Sequence, residues 1–169
     1  MAAGVALIAQ GEELLATLPD DAYVRRTPAA WNGTIGGHYR HCLDHFQSLL
    51  DGASDGEVDY DHRARDPRVE RDRAFAFERT RQLRRQLEAL DPATLVRPVV
   101  AHCEVSYNSD DTSVTNSTFA RELVYSITHA IHHFALIGVL ANLMGARLPA
   151  KFGVAPSTVK HRSDLAVAA

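Results

Sequence analysis

The chain has 169 residues, 46% hydrophobic and 23% charged, the composition of an ordinary globular domain able to bury a core. Its net charge is −3 with histidine neutral, which excludes the general basic footprint of a nucleic-acid binder. Two cysteines, Cys42 and Cys103, with no CxxC spacing exclude a disulfide framework, a zinc ribbon and a thioredoxin motif, and fit a reducing cytoplasm.

Residues 2–18 carry Val5, Leu7, Ile8, Leu14, Leu15 and Leu18 at helical spacing. The N-terminus lacks a basic stretch and soon turns acidic, so it reads as a first helix and not as a signal peptide. Pro19-Asp20-Asp21 stops that helix, and a loop is expected through Pro28 to Trp31, with Trp31 as an anchor in the core or at the next helix start. Asn32 or Thr34 caps a second helix over 32–51, whose apolar stripe is Ile35, Tyr39, Cys42, Phe46, Leu49 and Leu50. His38, His41 and His45 form an adjacent stripe at i, i+3 and i+7.

Residues 51–66 are polar and contain glycine, which predicts a loop. Asp59, Asp61 and Asp66 do not fit an EF-hand and are expected to be paired with Arg63 and Arg65 or solvated. Pro67 opens a third helix over 67–90, with Val69, Phe75, Phe77, Leu83, Leu87 and Leu90 inward. Its seven arginines are interleaved with Glu70, Asp72, Glu78 and Glu88, the pattern of a solvated, salt-bridged face. Residues 94–107 are rich in β-formers, Asn108–Asp111 reads as a turn, and Thr112–Asn116 returns. The expectation is a two-stranded hairpin with His102 on its surface.

The longest helical pattern is 117–145, capped by Ser117 or Thr118 and ended by Gly145. Phe119, Leu123, Ile127, Ala130, Ile131, Phe134, Ile137 and Ala141 make its apolar face. His129 and His133 lie one turn apart at the margin of that face, and His132 points nearly opposite. Such an i, i+4 pair can present two nitrogens to one metal ion, or can be a solvated polar margin. Residues 148–162 look too irregular for a helix and too apolar for a free tail, so Phe152 and Val154 are expected to pack back. No apolar run approaches the roughly 20 residues of a membrane span.

With both histidine rows placed, the chain resembles the DinB-like superfamily of metal-binding four-helix proteins. The matching pieces are Thr34-Ile35-Gly36-Gly37-His38-Tyr39-Arg40-His41-Cys42-Leu43-Asp44-His45 and His129-Ala130-Ile131-His132-His133. Asp59-Tyr60-Asp61-His62-Arg63-Ala64-Arg65-Asp66 and residues 152–158 look like features of one uncharacterised branch. The resemblance implies an all-α, antiparallel four-helix bundle with a short hairpin before the last helix, as one domain over 1–169. It implies one divalent ion, zinc or nickel from imidazole preference, on His41, His129 and His133, with His45 or His38 able to join or replace His41. Some members look like transferases or isomerases that act with low-molecular-weight thiols, and a metal-dependent transferase or hydrolase is the expected activity. Glu122 or His45 would assist proton transfer, with Tyr125 and Ser126 as polar lining. Related sulfoxide-synthase domains use H-x3-H-x-E, and here the glutamate position is Ala135, which argues against their iron and oxygen chemistry. The alternative is a non-catalytic module in which the ion ties helix two to helix four. Apolar residues on the first and last helices suggest a homodimer. A small-molecule substrate is expected, and neither nucleic acid nor membrane.

Overall fold

The chain enters as α1 (Ala2–Thr17), whose Leu7, Ile8, Leu14 and Leu15 are buried. Pro19 ends α1 but also opens α2 (Asp20–Val24), inside the segment expected to be a loop. Proline suits a helix start, where its missing N–H is not needed, and Asp20 and Asp21 favour the positive end of the helix. Tyr23 of α2 is fully buried and donates its hydroxyl to the Val69 carbonyl at 2.6 Å. Trp31 is not an anchor. It is 96% exposed and has φ 49° in the turn that precedes the next helix. The computed structural model describes residues 1–107 and 112–167.

In α3 (Ile35–Asp55) the hydroxyl of Thr34 accepts the Gly37 N–H at 2.8 Å, and Ile35, Tyr39, Cys42, Phe46 and Leu49 are buried as their spacing requires. The helix overruns its expected end. Gly52 permits this, because a Cβ there would lie 2.2 Å from the Glu57 carbonyl oxygen where the chain doubles back. Gly56, at φ 77°, makes that reversal, and β1 (Glu57–Asp59) follows. The predicted loop is thus partly helix and strand, concealed by the polar outer face of residues 51–55. Within it, the Asp59 carboxylate accepts the N–H groups of Asp61 and His62, both at 2.9 Å, in place of an arginine partner.

The single helix expected over 67–90 is two. α4 (Pro67–Arg71) is capped by Asp66, and α5 (Arg73–Glu88) by Asp72, whose carboxylate accepts the Phe75 N–H at 3.0 Å. Val69, Ala76, Thr80, Leu83 and Leu87 are buried. Phe75 and Phe77 are only half-buried, and the guanidinium carbons of Arg68 and Arg81 lie 4.3 and 6.0 Å from their ring centroids. Of the interleaved acids, Glu78 pairs with Arg81 and Glu88 with Arg84, each at 3.5 Å, while Glu70 turns to Arg40 of α3 and Asp72 serves as a cap; Arg84 also meets Glu12 of α1 at 2.6 Å.

β2 (Pro98–Glu104) and β3 (Thr112–Thr118) pair antiparallel, and β1 joins parallel to β2. The result is a three-stranded sheet ordered β1-β2-β3, not a lone hairpin. The turn expected at Asn108–Asp111 lies outside the described residues. His102 is half-buried, with its Nε2 atom fully enclosed, and is not the surface residue expected. α6 (Phe119–Leu143) starts at Thr118, whose hydroxyl accepts the Arg121 N–H. Phe119, Leu123, Ala130, Phe134, Ile137 and Ala141 are buried, with Ile127 and Ile131 at the edge of the core. Contrary to expectation, α6 is long and apolar enough to cross a membrane by length and composition; here its apolar stripe packs on α3 and α1. α1 also packs on α5, and α3 on α5. Phe152 returns as expected and stacks on Phe134, ring centroids 4.8 Å apart. Residues 148–162 are not free of helix: α7 (Pro156–Val167) begins inside them. The fold is therefore mostly helical with a small sheet.

Candidate metal centre

α3 and α6 each put a histidine row at the margin of an apolar stripe, and packing the stripes brings the rows together. The rings form a ladder. His45 stacks on His129, centroids 4.2 Å apart; His129 and His41 face each other with their Nε2 atoms 2.8 Å apart. His133 lies 4.7 Å from His41 and 4.6 Å from His129, and its Nδ1 is 3.1 Å from Nδ1 of His38. His132 is exposed, on the outer side of His133.

Burial and mutual crowding keep these rings neutral. Burial first, then the neighbouring histidines, lowers His41 to about 3, His45 to about 2 and His133 to about 4. Burial lowers His129 and His38 as well, each helped by His132. A neutral imidazole has a lone pair to offer, which is the form a metal requires. One nitrogen from each of His41, His45 and His129 lies within 4.8 Å of the others, the one such grouping among the described residues. His45, only 4% exposed, keeps its Nδ1 buried with no hydrogen-bond partner. An orphaned ring nitrogen in a cluster of neutral imidazoles suits a soft to borderline divalent ion. Of the expected ligands His41, His129 and His133, the first two fall in this grouping. His133 stands beside it, with His38 as its close partner.

The layer behind the rings contains two residues, Tyr60 and Arg63, that the sequence did not point to as part of the site. Tyr60, just after β1, is buried, stacks on His45 at 5.0 Å and donates its hydroxyl to Glu122 at 2.9 Å. Glu122 also accepts from Ser117 at 2.6 Å, so this buried carboxylate stands behind the histidines. Tyr125 stacks on His129 at 5.8 Å, while Ser126 is buried deeper in the core. Arg63 donates from Nη2 to Nδ1 of His41 at 2.7 Å. The only sequence signal for Tyr60 and Arg63 was their place in the Asp59–Asp66 stretch.

A cavity of about 370 Å³ opens against the ladder, lined by His38, His41, His133, Arg26, Asn32 and Arg40 among others. A larger one, about 660 Å³, lies between the end of α1 and residues 145–149 and contains no histidine, so volume alone does not mark the site.

Comparison with known proteins agrees with this fold. A crystal structure of a DinB-like protein from Bacillus subtilis superposes with a TM-score of 0.62 and 19% identity, covering 88% of this chain and 94% of that one, which is a likeness of fold. FK506-binding protein 5 of Rhizopus delemar is 35% identical over 104 residues, 62% of this chain; the chain spans only 27% of that relative's length. The profile of the DinB superfamily matches residues 7–137, a span that contains every rung of the ladder. On that match over most of its length, the chain belongs to the DinB superfamily.

Proposed function

We propose that the protein is a divalent-metal-dependent enzyme of the transferase or hydrolase type, with a low-molecular-weight thiol among its substrates. The observation that carries this reading is the meeting of two neutral histidine rows beside a polar cavity. His41 and His129 hold the ion, zinc or nickel, with His45 or His133 as the third ligand. A divalent ion bound there lowers the pKa of a thiol or water that reaches it. Tyr60 and Tyr125 orient His45 and His129 by stacking, and Glu122 orients Tyr60 through their hydrogen bond. When His45 serves as a ligand, proton transfer at the cavity wall falls to His133 and His38. The reading treats α1, α3, α5 and α6 as an antiparallel four-helix bundle working in a reducing compartment, which suits the free Cys42 and Cys103.

The test uses protein purified without a polyhistidine tag, loaded with Co²⁺ and titrated with 2-mercaptoethanol. Thiolate-to-cobalt absorption, followed by turnover of an electrophile–thiol pair, is expected. One observation favours a second reading: His45, the most buried histidine of the ladder, is in the converging ligand group. Metal bound at one equivalent with neither thiol ligation nor turnover would favour an ion that only ties α3 to α6.

Of the first and last bundle helices only α6 exposes large apolar side chains among the described residues, Val124, Leu136, Val139 and Leu143, and we also propose a homodimer through that outer face. Sedimentation equilibrium should give twice the chain mass at micromolar concentration; a concentration-independent monomer would refute the assembly.

A further inference from the structure

We infer that Arg63 sets the metal affinity of this centre and makes its loading depend on an anionic co-ligand. The inference rests on the metal reading of the histidine ladder and concerns what this chain does to an ion arriving there. Arg63 lies between β1 and α4 with its side chain 7% exposed. Its Nη2 sits 2.7 Å from Nδ1 of His41. Its Nε is buried with no hydrogen-bond partner, and the Asp44 carboxylate is 3.7 Å away. Asp44 is held more closely by Arg40, at 2.7 Å, and Arg40 also reaches Glu70 at 3.2 Å.

A guanidinium has only donors. Nδ1 of His41 must therefore accept, and a neutral His41 ring carries its one proton on Nε2. That Nε2 points at Nε2 of His129, so its proton lies where a cation would need a lone pair. Ligation through Nε2 requires the proton to sit on Nδ1, which would then face an N–H of Arg63, donor against donor. Metal-bound histidines ordinarily give that second N–H to a carboxylate or carbonyl; here an arginine stands in the carboxylate's place.

Charge acts in the same direction. Two guanidiniums, Arg40 and Arg63, face two carboxylates, Asp44 and Glu70, while Glu122 behind the rings already accepts from Tyr60 and Ser117, so each of these carboxylates is engaged before an ion enters. The rings of His41, His45 and His129 add no negative charge. A bare divalent ion would bring two positive charges into a partly buried site, beside a fixed cation. An anion on the ion removes part of that excess. Once displaced from His41, Arg63 carries free donors within reach of such an anion. The centre thus discriminates against the naked ion and favours the ion together with a thiolate, hydroxide or carboxylate.

The experiment measures Co²⁺ dissociation constants for the full chain in a non-coordinating buffer, with and without thiocyanate as the monoanionic probe. The proteins are wild type, Arg63→Gln and Arg63→Lys. Arg63→Gln should bind Co²⁺ at least tenfold tighter than wild type without thiocyanate. Arg63→Lys, which keeps the charge, should stay within threefold of wild type. Thiocyanate should tighten wild-type binding at least fivefold more than it tightens binding to Arg63→Gln. Equal or weaker binding by a folded Arg63→Gln would overturn the inference. If that variant fails to fold, wild-type affinity that does not respond to thiocyanate would overturn it. A wild type that takes up no stoichiometric Co²⁺ under any condition would instead refute the metal reading itself.

Discussion

His41→Ala and His129→Ala should each strip the protein of its divalent ion. Their Nε2 atoms are 2.8 Å apart, and each ring belongs to the one histidine triplet among the described residues whose nitrogens converge. Partners in the outer shell typically alter metal affinity by 10–100-fold, so loss of a direct ligand should cost roughly 100-fold or more. Elemental analysis of untagged protein is the measurement, with zinc or nickel falling from one equivalent to a trace. Helical circular dichroism should stay near wild type, because both rings lie at the margin of the core and truncation leaves the apolar stripes intact. The third ligand can be identified by the same assay. If His45→Ala matches His129→Ala while His133→Ala retains most of the metal, the compact grouping is the ligand set; the reverse pattern restores the pair one turn apart on α6. A wild type that is fully folded and metal-free would remove the centre altogether.

Phe134→Ala should cause the largest loss of stability of any single truncation discussed for this fold, about 3–5 kcal/mol. Phe134 is 1% exposed and lies between two aromatic rings. Tyr39 of α3 is nearly parallel to it at 9° and 6.0 Å, and Phe152 stacks at 17° and 4.8 Å. The backbone beyond Phe152 closes over the same residue: at Gly153, with φ 69°, a Cβ would meet the Phe134 carbonyl oxygen at 2.5 Å. The neighbours are therefore too constrained to collapse into the space, and a cavity adds to the lost transfer energy. Domains of this size are stable by roughly 5–15 kcal/mol, so the change consumes a large share. Urea unfolding followed by circular dichroism checks it. Phe134→Leu should cost much less, and a loss below about 1 kcal/mol for the alanine variant would contradict the packing described.

The parts of this structure that were legible in the sequence are those where the residue period matches the burial period. α3 and α6 place nearly every expected apolar residue in the core, and Thr34 and Thr118, each one of two caps considered, make the cap bonds. The family resemblance rested on these two helices, as did the histidine ladder. Elsewhere the signal was local. Residues 51–55 look like a loop because the helix turn there exposes polar side chains, and its one informative residue, Gly52, reveals its reason only when the chain returns over it. Asp72 falls within an unbroken charged run, so its role as a cap was concealed by its neighbours. Trp31 departs from expectation because its size suggests burial, whereas the left-handed turn holds its ring away from the chain. Tyr60 and Arg63 reach the histidines through the pairing of β1 with β2, a contact between segments some 40 residues apart that no periodicity announces.

The order of the ladder has a consequence for assembly of the fold. As numbers rise along α3, from His38 through His41 to His45, their partners on α6 descend from His133 to His129. Apolar seams between two helices are permissive, since a slide of one turn, about 5.4 Å, often finds another set of ridges and grooves. Here such a slide would move every imidazole off its counterpart and leave an end ring facing hydrocarbon. The histidines therefore work like the teeth of a key: they admit one alignment of α3 and α6 and make misaligned pairings costly before any ion is present.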